Sequence, residues 1–76
     1  MPIAIYTTPT CEYCNQLKQY LDKLGVEYTE HNVAKDLKRA DEMSRKSRQF
    51  GVPVVDIDGK IIVGFNKAQI DRALGS

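Results

Sequence analysis

The apolar residues of this chain change period at a pair of cysteines, and that change limits the possible folds more than any other feature. Ile3, Ile5 and Tyr6 read as a short strand starting right after Pro2. Thr7 to Thr10, with Pro9, is a turn. From Glu12 onward, Leu17, Tyr20, Leu21 and Leu24 recur at helical spacing, and Gly25 stands where helices commonly stop. Cys11 and Cys14 fall at the start of that helix.

Val26 to Val33 returns to alternation and reads as a second strand. Asp36 is placed to cap a second helix, with Leu37, Ala40, Met43 and Phe50 roughly on one face and Gly51 at its end. Val52 to Ile57 and Lys60 to Val63 read as two more strands. Asp58-Gly59 between them is a strong hairpin signal, because a tight turn there needs positive φ. Asn66 is placed to cap a last helix, Lys67 to Leu74. Gln69 stands at its third position for a capping box, and Phe65 and Ile70 for a hydrophobic staple.

The predicted order is β-α-β-α-β-β-α, an α/β chain with a small four-stranded mixed sheet. The first crossover should be right-handed and put strands one and two parallel. Helices should cover both faces of so small a sheet. No internal repeat, linker or low-complexity tract interrupts residues 1–76, which read as a single domain.

Composition excludes several classes of function. Apolar residues make up 42% and charged residues 28% of the chain, a globular balance. A net charge of +1 creates no global field towards nucleic acid or membrane. No apolar run approaches the roughly 18 residues of a membrane span. Met1-Pro2-Ile3-Ala4-Ile5-Tyr6 lacks the basic flank and long apolar stretch of a signal peptide. The expected address is the cytoplasm, where a Cys-x-x-Cys pair is more often catalytic or metal-binding than a permanent disulfide.

The chain has two cysteines and one histidine, His31, so a structural zinc site, with its usual four ligands, would need a second chain. A structural disulfide closing a two-residue loop would add little chain-entropy stabilisation. His31 reads as a surface or edge-strand residue. A redox pair fits better. The first N–H groups of a helix lack partners, and the dipole places partial positive charge there. A Cys11 thiolate gains from both, so its pKa is expected to fall from about 8.5 towards or below neutrality. Cys14, one turn on, is close enough to bond with Cys11. It can attack a mixed disulfide at Cys11 and release the product. Glu12 opposes this, because its carboxylate disfavours a second negative charge beside it. Lys18 offsets that only weakly.

The segments "YTTPTCEYC", "GVP" and "DGKIIVGF", in this order and spacing, resemble the glutaredoxins of the thioredoxin fold. The likeness runs over essentially the whole chain and is greatest to the small bacterial glutaredoxin-like redoxins. It implies a thiol–disulfide oxidoreductase with Cys11 as attacking and Cys14 as resolving thiol. Tyr13 takes the aromatic position of the family's Cys-Pro-Tyr-Cys motif. The resemblance makes Pro53 a cis-proline facing the cysteines, whereas the residues alone allow an ordinary trans proline starting a strand. Val52 would offer its backbone to a substrate or to glutathione. Gly64 and Phe65 would lie in the glutathione site.

The resemblance also implies no tightly bound cofactor and no metal, with glutathione as co-substrate. The implied partners are disulfide-containing proteins and either glutathione or a flavoprotein reductase, with the chain itself a monomer. Three family contacts to glutathione are altered. Thr7 and Thr8 stand where a lysine is common, Glu12 replaces the motif's proline, and Gly64-Phe65-Asn66-Lys67 replaces a Gly-Gly pair followed by an acidic or hydroxyl residue. Arg45, Lys46 and Arg48 could meet a carboxylate, although a solvated helix face is the simpler reading. The alternatives are an electron donor of the ribonucleotide-reductase type, recycled by thioredoxin reductase, and a module holding an iron–sulfur cluster with glutathione.

Overall fold

The computed structural model describes residues 2–75. Met1, which the reading of the N-terminus includes, lies outside the described residues. Four strands and three helices follow in the predicted order: β1 (Ile3–Thr7), α1 (Glu12–Leu24), β2 (Thr29–Asn32), α2 (Leu37–Ser47), β3 (Val54–Ile57), β4 (Lys60–Val63) and α3 (Lys67–Gly75). The sheet order is β2-β1-β3-β4. β1 and β2 are parallel, and the β1/β3 and β3/β4 pairs are antiparallel.

The two-residue period of β1 divides the core. Ile3 and Ile5 point to one face, where Leu17 and Leu21 of α1 and Ile70 and Ala73 of α3 cover them. Ala4 and Tyr6 point to the other, where Met43 and Ala40 of α2 pack. β1 is central and covered on both sides, so Ile5 and Tyr6 are both fully buried. At the β3–β4 turn Asp58 and Gly59 both have positive φ, 52° and 91°. This is the hairpin the dipeptide predicts, and Asp56 Oδ1 accepts a bond from Gly59 N–H at 2.8 Å.

Asn66 caps α3 as expected, its Oδ1 accepting from Gln69 N–H at 3.1 Å. Phe65 and Ile70 pack in one cluster.

Several predicted boundaries shift: β1 runs on through Thr7, which reads as turn, and α3 through Gly75. The second strand is only Thr29–Asn32, because Val26 N–H donates to Leu21 C=O and so helps to terminate α1. Val26 and Tyr28 still pack on the core from the connecting segment. α2 ends at Ser47, where Arg48 takes the left-handed conformation and donates to Ser44 C=O. Its buried face therefore lacks two expected members: Leu37 and Phe50 are exposed, and neither Phe50 nor Gly51 is helical. The third strand starts at Val54, after a proline that has no N–H to give a ladder.

Candidate active site

One end of the sheet collects the segments singled out by the sequence. Thr7 at the end of β1 stands beside Asn32 at the end of β2. Tyr6 is opposite Val54, and Val54 is opposite Val63. The turn leading into α1, the residues before β3 and the residues after β4 thus share that end. Gly64 N–H donates to Pro53 C=O at 2.8 Å, which ties the last two together. The Val52–Pro53 peptide is cis.

Cys11 is the N-cap of α1 rather than a first-turn residue, one position earlier than expected. Its backbone is extended, and its N–H is held by Thr8 C=O at 3.3 Å. The Sγ accepts a hydrogen bond from Cys14 N–H at 3.1 Å, taking the place of the oxygen of a serine or aspartate cap. Cys11 and Cys14 form a disulfide with Cα atoms 5.2 Å apart. Cys11 is half-exposed, whereas Cys14 is fully buried. An outside reagent therefore meets Cys11 first. Glu12 follows as the first helical residue, exposed to solvent.

Behind this turn lies a small polar group. Thr7, a buried polar residue, donates from Oγ1 to Glu30 Oε2 at 2.7 Å. Lys18 Nζ pairs with the same oxygen at 3.0 Å. Lys18 is thus committed to Glu30 across the β1–β2 edge, so even the weak offset of Glu12 expected from it is taken up elsewhere. The Thr7 hydroxyl, followed by Lys18, holds the Glu30 carboxyl below the usual carboxylate value against a smaller opposing effect of burial. With Thr8, Pro9 and Asn32 these three line a small pocket.

The other residues named from the sequence are distributed as follows. Tyr13 is exposed, Val52 half-buried and Pro53 buried. Gly64 has φ 83°, a conformation costly for other residues. Phe65 turns onto Tyr20 of α1, edge to face at 5.8 Å. The Lys67 ammonium sits over both rings, at 5.3 and 5.7 Å. Of the three basic residues of α2 and its end, Arg45 pairs with Asp41 at 3.0 Å. Lys46 is exposed, as the solvated-face reading expects, but its ammonium is engaged: it donates to Asp56 at 2.7 Å and to the Tyr6 hydroxyl at 2.9 Å. Arg48 is exposed at the helix end and makes no ion pair among the described residues. His31 sits on the edge strand β2, half-buried, with its ring 5.2 Å from that of Tyr6.

Two features escaped the sequence reading. One is the chain of Tyr6, Glu42, Lys46 and Asp56, whose only signal is the four-residue spacing of Glu42 and Lys46. The other is the loop around Phe50, where Gln49 folds back on the backbone. Among the described residues, no group of three or more His, Cys, Asp or Glu gathers to hold a metal. No described helix is long and apolar enough to cross a membrane.

A mixed four-stranded sheet, helices on both faces and a dithiol at the first helix start define the class of thioredoxin-like thiol–disulfide oxidoreductases. A family model described as Glutaredoxin matches residues 3–62. The chain belongs to the glutaredoxin family. It is 51% identical over 72 residues to an uncharacterized glutaredoxin-like 8.6 kDa protein in the rubredoxin operon of Clostridium pasteurianum, covering 95% of this chain and 96% of that one. It is 34% identical over 62 residues to glutaredoxin 3 of Escherichia coli K12, covering 82% and 75%. Among solved structures, the glutaredoxin-like NrdH-redoxin of Escherichia coli, described as having a thioredoxin-like activity profile, superposes with a TM-score of 0.87. The sequences are 26% identical, with 100% of this chain and 99% of that one covered.

Proposed function

We propose that the protein reduces disulfides in partner proteins, with Cys11 attacking and Cys14 resolving, and that a flavoprotein reductase of the thioredoxin-reductase type recycles it. The observation that carries this is the Cys11 sulfur at the N-cap, receiving Cys14 N–H, with Cys14 buried behind it. A thiolate at Cys11 is favoured there by the helix end and reaches substrate first. It opens the partner's disulfide and forms a mixed disulfide, and one partner sulfur leaves as thiolate. Cys14 then attacks the Cys11 sulfur, closing the Cys11–Cys14 bond and releasing the second sulfur. Two electrons from outside must reopen that bond. The cis Val52–Pro53 segment and exposed Tyr13 supply the substrate-facing backbone and ring in this reading, with Gly64 and Phe65 at its border.

The flavoprotein is preferred as electron source for three reasons. The Phe65 side chain and the Lys67 ammonium occupy positions where the family places small and acidic or hydroxyl residues, and both are engaged with Tyr20. Arg45 and Lys46 already hold carboxylates of this chain. Similarity to a redoxin with a thioredoxin-like activity profile points the same way. Glutathione is the second reading, because the attacking cysteine and the motif around it are those of the family as a whole.

The test is NADPH consumption with a small disulfide in two arms, one with glutathione and glutathione reductase, the other with thioredoxin reductase. Turnover in the second arm alone is expected. Turnover in the glutathione arm alone would replace the flavoprotein by glutathione, and no turnover in either would overturn the oxidoreductase reading.

A further inference from the structure

Phe50 is the most exposed large apolar side chain described, with 80% of its surface free, and the residues on either side of it are tied together by side-chain hydrogen bonds. Ser47 Oγ donates to Met43 C=O at 2.7 Å and to Gln49 C=O at 3.0 Å. The Gln49 amide then reaches over Phe50: its nitrogen donates to Gly51 C=O at 3.0 Å, and its oxygen accepts Gly51 N–H. A Cβ at Gly51 would lie 2.7 Å from that oxygen and would push the Gln49 amide out of this position. An exposed aromatic on a slack loop would need no explanation. Here side-chain hydrogen bonds on both sides of one residue fix the place where a phenyl ring meets water.

That place adjoins the dithiol end of the sheet. Phe50 lies three residues before Pro53, at most about 10 Å of chain. Pro53 in turn precedes Val54, the partner of Tyr6 at the end of β1. Arg48, two residues before Phe50, is exposed and makes no ion pair among the described residues. An exposed apolar ring two residues from an exposed arginine suits a partner segment carrying an apolar side chain and a carboxylate. Aromatic and arginine residues are the side chains that most often anchor protein interfaces.

We propose that Phe50 and Arg48 form a docking point for the protein partner's disulfide-bearing segment. They select one with an apolar residue and an acidic residue beside the cysteine. This rests on the oxidoreductase reading above and adds the sequence preference of its partner. The ring takes the apolar residue out of water, the guanidinium meets the carboxylate, and the partner's sulfur is left at Cys11.

The test uses the Cys14→Ser variant, which stops at the mixed disulfide, and short peptides whose cysteine is capped by thionitrobenzoate. Cys11 attacks the peptide sulfur, one S–S bond forms as one breaks, and the coloured thionitrobenzoate leaves with the electron pair. A peptide with leucine and glutamate beside the cysteine is compared with one carrying serine and lysine. The leucine–glutamate peptide should react about tenfold faster. In Phe50→Ser the ratio should fall towards that of Arg48 acting alone, in Arg48→Gln towards that of Phe50 alone, and in Phe50→Leu it should largely return. Equal rates for the two peptides, or a ratio that Phe50→Ser leaves unchanged, would overturn the docking point while leaving the cysteine chemistry standing. No release from either peptide would remove the oxidoreductase reading and this inference with it.

Discussion

The ammonium of Lys46 on α2 donates a hydrogen bond at 2.9 Å to the phenolic oxygen of Tyr6, a fully buried residue of the central strand. The Tyr6 hydroxyl in turn donates a hydrogen bond to Glu42, and Lys46 also holds Asp56 of β3 at 2.7 Å. One lysine thus joins α2 to two strands on the face opposite α1. Lys46→Met should lower stability by about 1–2 kcal/mol, because the Asp56 carboxylate, only 15% exposed, loses its partner. Tyr6→Phe should cost about 1 kcal/mol through the lost hydroxyl. Urea unfolding midpoints of both variants check this. Additive losses in the double variant would mean that the two groups do not form one network.

The same contacts set the response to acid. The Tyr6 hydroxyl, then Arg39 and Lys46, hold the Glu42 carboxyl below its ordinary 4.5 against the opposing effect of burial. The Thr7 hydroxyl does the same for Glu30. A carboxyl whose folded pKa is depressed contributes stability that is fully present above its unfolded value. That stability is lost as pH falls through the folded one. Stability should therefore decline from about pH 5 downward. Thr7→Val should make that decline shallower, with the Glu30 carboxyl signal titrating at higher pH in NMR. An unmoved Glu30 titration in Thr7→Val would show that the hydroxyl is not the cause.

What was readable in the sequence follows from how local each signal is. The Gly25 end of α1, the Asp36 and Asn66 caps and the Asp58-Gly59 turn depend on residues within a few positions of each other, and all four stand where expected. The cysteine pair is equally local. The end of α2 is not, because Arg48 had to take the left-handed conformation that closes the helix, and nothing in "SRQFG" marks arginine for it. Val26 and Tyr28 alternate like a strand, yet β1 offers partners only from Ala4 to Thr7. Lys46 looked like one more charge on a polar helix face. Only the crossing of α2 over the sheet brings it to Asp56, ten residues away in sequence.

The two cysteines should separate in their effects because their exposures differ. Cys11→Ser removes the half-exposed thiol that substrate meets and should abolish reduction of every disulfide, a loss of at least about a thousandfold. Cys14→Ser leaves that thiol and removes the buried resolving one. With thioredoxin reductase it should have no turnover, since no Cys11–Cys14 bond can close, whereas turnover on glutathione mixed disulfides, with a second glutathione resolving the intermediate, would belong to the glutathione reading. On protein disulfides it should stall as a covalent adduct visible by mass spectrometry. Protein-disulfide turnover surviving in Cys11→Ser would end the assignment of roles.

Glu12 is the first helical residue after the cap, and its exposed carboxylate shares the α1 start with the Cys11 sulfur. Negative charge there competes for the same end of the helix dipole. Proline is favoured at this position, since the N–H it lacks has no partner within the helix and its fixed φ suits the first turn. Glu12→Pro should therefore leave the fold as stable or slightly more so. It should also increase the thiolate fraction of Cys11 at neutral pH, raising its alkylation rate about threefold. The measurement is the pH dependence of iodoacetamide alkylation in the reduced protein, with Glu12→Gln alongside to remove charge without proline. If proline accelerates and glutamine does not, the effect comes from backbone geometry and not from the carboxylate. If both accelerate, the charge at position 12 restrains Cys11 reactivity.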